Sequence, residues 1–143
     1  MRVTVRANGA AAGDAGLKLR EKGDGNLVAR LVDAVSVDNR LLSGDHPISG
    51  ILLREDEKGD LTAELVQAIA RRNGGAGIEL DENEDGNLAG QIRGPTASQN
   101  DGAGVSLTQG PTGTGQATFV NLTAIVNGGG SVLADGVTLS GAP

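Results

Sequence analysis

The residues of this chain that could do chemistry are mostly acids, and they gather in turns. Glu21 and Asp24 form one group. Glu55, Asp56, Glu57 and Asp60 form a second, and Asp81, Glu82, Glu84 and Asp85 a third. Oxygen-rich turns suit Ca2+, a hard cation bound by carboxylate and carbonyl oxygens. If a metal binds, Asp81, Glu82, Glu84 and Asp85 are its expected ligands. A glycine-rich calcium repeat needs G-G-x-G-x-D-x-U-x. The stretch Gly74-Gly75-Ala76-Gly77-Ile78-Glu79-Leu80-Asp81 supplies the glycines, but Glu79 stands where Asp belongs and the apolar residue is misplaced. The competing reading is a solvated turn, with Arg20, Lys22, Arg54 and Lys58 offsetting the repulsion. It is favoured because the next copy of the turn, TQGPTGTG, holds no acid. On that reading no cofactor is expected, and Ca2+ is the alternative.

The one histidine stands in Asp45-His46-Pro47. Histidine is the commonest general base, but nothing in the sequence positions this one, so a solvated loop residue is the stronger reading. No nucleophile elbow, histidine metal cluster or phosphate loop occurs. No catalytic residue is assigned, and the balance leans away from an enzyme.

The elements that must position these groups are read from composition and repeat. With 143 residues the chain is one domain. It has 24 Gly, no Cys, Trp or Tyr, and one Phe, yet 38% of residues are hydrophobic. That excludes simple disorder, and the glycines lack the three-residue period of collagen. The core must be built from small aliphatic layers. A net charge of −6 argues against nucleic acid and anionic membranes as partners. No segment is long and apolar enough to insert in a membrane, and the start, MRVTVRANGA, does not read as a signal peptide.

Repeats dominate the sequence. GLKL, GILL, GIEL, GVSL and GVTL begin at Gly16, Gly50, Gly77, Gly104 and Gly136. From the first four, ungapped units of 24 residues run to an asparagine: 16–39, 50–73, 77–100 and 104–127. Partial units are expected at 1–8 and 136–143. Apolar columns hold Leu17, Ile51, Ile78, Val105 and Val137, then Leu19, Leu53, Leu80, Leu107 and Leu139. Leu31, Leu65, Ile92 and Phe119 form another, and Gly25, Gly59, Gly86 and Gly113 share a turn position. Alternation of apolar and polar residues within units is the period of a half-buried strand. Gly and Asn at corners fit turns with positive φ. A helix over Leu61–Asn73 is the competing reading, but the same columns elsewhere hold Gly, Pro and β-branched residues, so strand is preferred.

A step of about 27 residues, strands separated by turns, predicts one coil of a parallel β-solenoid, with coils roughly 4.8 Å apart. Stacked asparagines predict a polar ladder at Asn39, Asn73, Asn100 and Asn127, with Asn8 as its extension. Longer connections after Asn8, Asn39 and Asn127 place the insertions at one corner.

The N-G-G-A-G-I-E-L and N-D-G-A-G-V-S-L junctions, the inward aliphatic columns and the asparagine column resemble the right-handed parallel β-helix proteins, the architecture of pectate lyases and many phage tailspikes. The resemblance covers almost the whole chain. It implies an all-β, right-handed parallel β-helix of about five coils, and an extracellular or cell-surface setting. It does not fix activity, because sites are grafted on folds. Alginate epimerases of this architecture carry Asp-Pro-His with a nearby Tyr; here the order is Asp-His-Pro and there is no Tyr. The outward row expected on the GxxL strands is Lys18, Leu52, Glu79, Ser106 and Thr138, which carries no paired carboxylates.

Three functions follow as expectations. The first is a non-enzymatic structural or binding solenoid, a piece of a longer surface or secreted protein or an engineered scaffold. The second is a relative of carbohydrate-active β-helix enzymes, with carbohydrate as partner and the insertion corner at Asp45 and His46 as its site. The third is a calcium-binding surface repeat. The resembled proteins carry a capping helix ahead of the first coil and this chain does not, so self-association through coil ends or sheet faces is also expected.

Overall fold

In the computed structural model the described residues are 4–6, 15–40 and 47–141. Asn8, Asp45 and His46 lie outside them. Fifteen strands and no helix are present among the described residues. Each of the four full coils contributes one strand to each of three parallel sheets, and partial coils at the two ends supply the remaining three strands.

The first sheet holds β2 (Leu17–Glu21), β5 (Ile51–Glu55), β8 (Ile78–Glu82), β11 (Val105–Gln109) and β14 (Val132–Asp135). The second holds β3 (Leu27–Val32), β6 (Leu61–Val66), β9 (Leu88–Arg93), β12 (Gly115–Val120) and β15 (Val137–Ser140). The third holds β1 (Thr4–Arg6), β4 (Val35–Val37), β7 (Ile69–Arg71), β10 (Thr96–Ser98) and β13 (Thr123–Ile125). The arrangement is all-β and consistent with a parallel β-solenoid. The stretch Leu61–Asn73, which could have been helix, is β6 and β7.

Alternation explains the interior. Ile51 and Leu53 point inward from β5, and Leu61, Ala63 and Leu65 from β6; all five are buried. Ile78, Leu80, Leu88 and Ile92 repeat the set one coil on, and Phe119 occupies the column of Leu65 and Ile92. Burial of aliphatic side chains at roughly 25 cal/mol per Å2 drives the coil closed. Gly90 keeps its column open for Leu80, whose Cδ1 would lie 3.2 Å from an added β-carbon.

The asparagine ladder runs through the buried corner. Asn39 Nδ2 donates to Asn73 Oδ1 at 2.8 Å, Asn73 Nδ2 to Asn100 Oδ1 at 2.9 Å, and Asn100 Nδ2 to Asn127 Oδ1 at 2.9 Å. Each acceptor also receives the backbone N–H of the preceding asparagine, at 3.1–3.2 Å. The second amide hydrogen goes to a carbonyl of the coil before: Ser36 O, Ala70 O and Ala97 O. The inner rungs, Asn73 and Asn100, therefore satisfy buried groups on both neighbouring coils.

Two expectations need correction. The last coil does not begin at Gly136. Val105 pairs with Val132, so SVLA is the fifth copy of the first strand, and Val137 and Leu139 lie beside Gly115 and Ala117 in the second sheet. A step of 27 residues from Gly104 lands on Ser131, and the intervening turn shrinks to Gly136, at φ +68°. Nor are the ladder asparagines the positive-φ corners. That conformation falls on the residue before each, Asp38, Arg72, Gln99 and Val126, and on Asp33, Gln67, Gly94 and Asn121 at the other corner. In the glycine column only Gly113 has positive φ; the column is selected by close stacking, since a β-carbon on Gly59 or Gly86 would overlap the carbonyl of the glycine one coil before.

Candidate functional site

The acids expected as one metal site are divided by the pleat. Asp81 and Glu82 are adjacent on β8, so they point to opposite faces. Asp81 faces outward and pairs with Arg54 at 2.6 Å. Glu82 faces inward and is fully buried. Its Oε2 accepts from Gln109 Nε2 at 2.6 Å and from the Gly110 N–H at 3.2 Å, and its Oε1 accepts from the Glu84 N–H at 3.1 Å. The side chains of Glu84 and Asp85 are in the exposed turn, where Asp85 Oδ1 accepts from Thr112 Oγ1 at 2.9 Å. The four carboxylates do not converge. Among the described residues no group of three or more His, Cys, Asp or Glu is placed to hold a metal ion.

The outward face of the first sheet assembles a different group. The row expected to end at Thr138 instead runs Lys18, Leu52, Glu79, Ser106 and Leu133. Two residues along, Arg20, Arg54, Asp81 and Thr108 form a second outward row. Glu79 and Asp81 thus share one face beside Arg54, whose Nη2 lies 3.9 Å from Glu79 and 2.6 Å from Asp81. Ser49 Oγ donates to Glu79 Oε2. Asp56, next to the strand, pairs with Arg20 and accepts from Asn83 Nδ2 at 3.0 Å. Ser49, Leu52, Arg54, Glu79, Ser106 and Leu133 line a shallow groove on this face.

The electrostatics of the two outward acids differ. Burial pushes the Asp81 carboxyl above the ordinary range, against the lowering pull of Arg54. Burial also acts upward on Asp56, but hydrogen bonds from Arg20 and Asn83 and the charges of Arg20 and Arg54 outweigh it and hold that carboxyl low. Arg54 Nε is buried without a hydrogen-bond partner. A raised acid paired with a cation that lines a groove is a pattern from which acid–base or anion-binding sites are built.

A second group is interior. Glu21, Glu55, Glu82 and Gln109 stand in register at the ends of β2, β5, β8 and β11. Glu55 and Glu82 are fully buried. Burial raises the Glu55 carboxyl; the Glu57 N–H, donating at 3.2 Å, works against this, and the Glu21 carboxyl and the charges of Glu82 and Glu21 add to it. One oxygen each of Glu21 and Glu55 has no partner. Sequence reading placed these acids in solvated turns. The available signal was parity, since Glu55 follows Ile51 and Leu53 on the inward side.

The fold and these two groups define the chain as a repeat protein of stacked parallel strands with a charged outer face. A scan of protein-family models finds no match, and no curated protein or solved structure matches the chain.

Proposed function

We propose that the chain is a non-enzymatic structural or binding module, a right-handed β-helix whose coils form a rigid column for display or assembly. Right-handedness is the general rule for parallel crossover connections. The observation that carries the reading is how polar side chains are used. They tie one coil to the next in register: Asn39 to Asn73, Asp60 to Asn87, Arg30 to Glu64, Arg72 to Asp38 and Arg54 to Asp81. Groups committed to axial bonds on several faces serve a scaffold more than a reaction. A surface or secreted setting and self-association through coil ends or sheet faces belong to the same proposal. Incubation with pectate, alginate and similar acidic polymers, followed by assay of new chain ends, tests it. No cleavage is expected, and depolymerisation by the purified chain would overturn the reading.

One observation favours a second reading, carbohydrate handling. Glu79 and Arg54 line the groove, and Asp81, raised by burial, pairs with Arg54 on the same sheet face. If polymer cleavage is found, Glu79→Gln and Asp81→Asn should abolish it; activity unchanged in both would remove this groove as the site.

A further inference from the structure

The interior column Glu21–Glu55–Glu82–Gln109 differs in kind from the asparagine ladder. An amide column is self-complementary, because each side chain carries donors and acceptors, whereas a column of carboxylates carries only acceptors. At one end the mismatch is solved. Gln109 Nε2, with two hydrogens to give, has Glu82 Oε2, Gly86 O at 2.9 Å and Thr112 O at 2.7 Å within hydrogen-bond reach. Glu82 collects three N–H donors in all.

One coil away the solution is missing. Glu55 is 0% exposed and receives one N–H, from Glu57. Its Oε2 and the Oε2 of Glu21 are buried without partners. The charged groups bearing on Glu55 are Glu21 from β2 and Glu82 from β8, both acids. Arg20, Arg54 and Asp56 are engaged with one another and with Asp81 on the outer face. Lys22, Asp24, Glu57 and Lys58 are exposed in the turns, and half-buried Asp60 accepts from Asn87. The inward residues that open the facing strands, Leu27, Leu61 and Leu88, are apolar. Two adjoining carboxylates in such a place cannot both ionise without a large desolvation and repulsion cost.

We propose that Glu55, in register with Glu21, is a proton-binding site: in the folded chain at neutral pH Glu55 holds a proton in a hydrogen bond shared with Glu21, and its release loosens the first two coils as pH rises. The Glu55 O–H donates to the Glu21 carboxylate, as the Gln109 amide donates to Glu82. No bond other than O–H is made or broken, and the proton comes from and returns to solvent. The unfolded chain releases this proton in the ordinary glutamate range, whereas the folded chain holds it at higher pH. The stabilisation is therefore fully present below the unfolded pKa and is lost as pH rises through the folded one. For one proton the folding equilibrium falls by up to about tenfold per pH unit in that window.

The test is urea denaturation of the parent, Glu55→Gln and Glu21→Gln at pH steps from about 4.5 to 8. The parent should weaken as pH rises. Glu55→Gln, with an amide donor in place of the shared proton, should fold and lose that part of the slope. Slopes that run parallel in parent and Glu55→Gln would overturn the proposal. Infrared spectra of the parent at neutral pH provide the readout should the variants not fold. A protonated-carboxyl stretch is expected, and its absence would overturn the site. Calcium chloride added at neutral pH is expected to leave the parent's stability unchanged. If it restores the low-pH stability, the site holds a metal ion and not a proton.

Discussion

Gly77 and Asn100, the first and last residues of one repeat unit, meet across the corner: a β-carbon on Gly77 would lie 2.6 Å from Asn100 Nδ2 and 2.7 Å from the Gly104 carbonyl oxygen. The same relation joins Gly50 to Asn73 at 2.5 Å and Gly104 to Asn127 at 2.8 Å. The glycine column is thus a condition of the asparagine ladder. Ser131 stands in that column one coil further on, where no ladder asparagine of its own coil faces it among the described residues.

Gly77→Ala should therefore displace the ladder, because backbone as well as amide would have to move. A loss of about 2–4 kcal/mol is expected, whereas Ser131→Ala should stay within about 0.5 kcal/mol. Urea denaturation of the two variants checks the contrast. Equal and small losses would mean that the corner can relax around a methyl group.

The ladder itself can be weighed by position. Asn100 is buried and bonds Asn73, Asn127 and Ala70 O. Its replacement by Ala strands groups on two coils, with an expected cost of about 1–3 kcal/mol for each polar group left unsatisfied. Asn127 is only half-buried, so water can replace some of its bonds and Asn127→Ala should cost less. A melt of Asn100→Ala that overlays the parent would show that the ladder adds nothing to stability.

Val126 offers a gain. Its φ is +55°, and the equivalent corner positions hold Asp38, Arg72 and Gln99. A β-branched residue is poorly suited to this region, where asparagine is several-fold enriched. The Val126 side chain is 79% exposed, so little packing is lost by replacing it. Val126→Asn should stabilise by about 1 kcal/mol, read as a higher urea midpoint at unchanged slope. A lower midpoint would mean that the valine packs on something its exposure does not reveal.

How much of this was legible in the sequence follows from which signals are local. Alternation in Ile78-Glu79-Leu80 and the asparagine spacing are set within one coil, and they matched the strands and the ladder. The last coil was misassigned because GVTL resembles GVSL, while the true counterpart VLAD has no leading glycine. Only the pairing register separates the two. The pairing of Arg54 with Asp81 also needs that register, since the partners are neighbours only through the alignment of β5 and β8. The interior glutamates were masked by chemistry: acids near a glycine turn read as solvated, although parity put Glu55 inside.

Arg54 and Asp81 give the sharpest electrostatic test. The Asp81 side chain is 7% exposed and that of Arg54 30%, so the pair is largely withdrawn from water. Replacing Arg54 by Met leaves the carboxylate buried with no cation at 2.6 Å. A loss of roughly 3 kcal/mol at neutral pH is expected, because an uncompensated buried charge costs more than the pair contributes. Burial already raises Asp81, and Arg54 is the main influence holding it down. Without Arg54 the folded carboxyl binds its proton more tightly than the unfolded one, so the variant should regain stability as pH falls. The double variant Arg54→Met with Asp81→Asn removes both charges and should recover most of the loss at neutral pH. Urea midpoints of the single and double variants across pH read this directly, and a pH-independent loss in Arg54→Met would show that the arginine acts through packing of its stem and not through its charge.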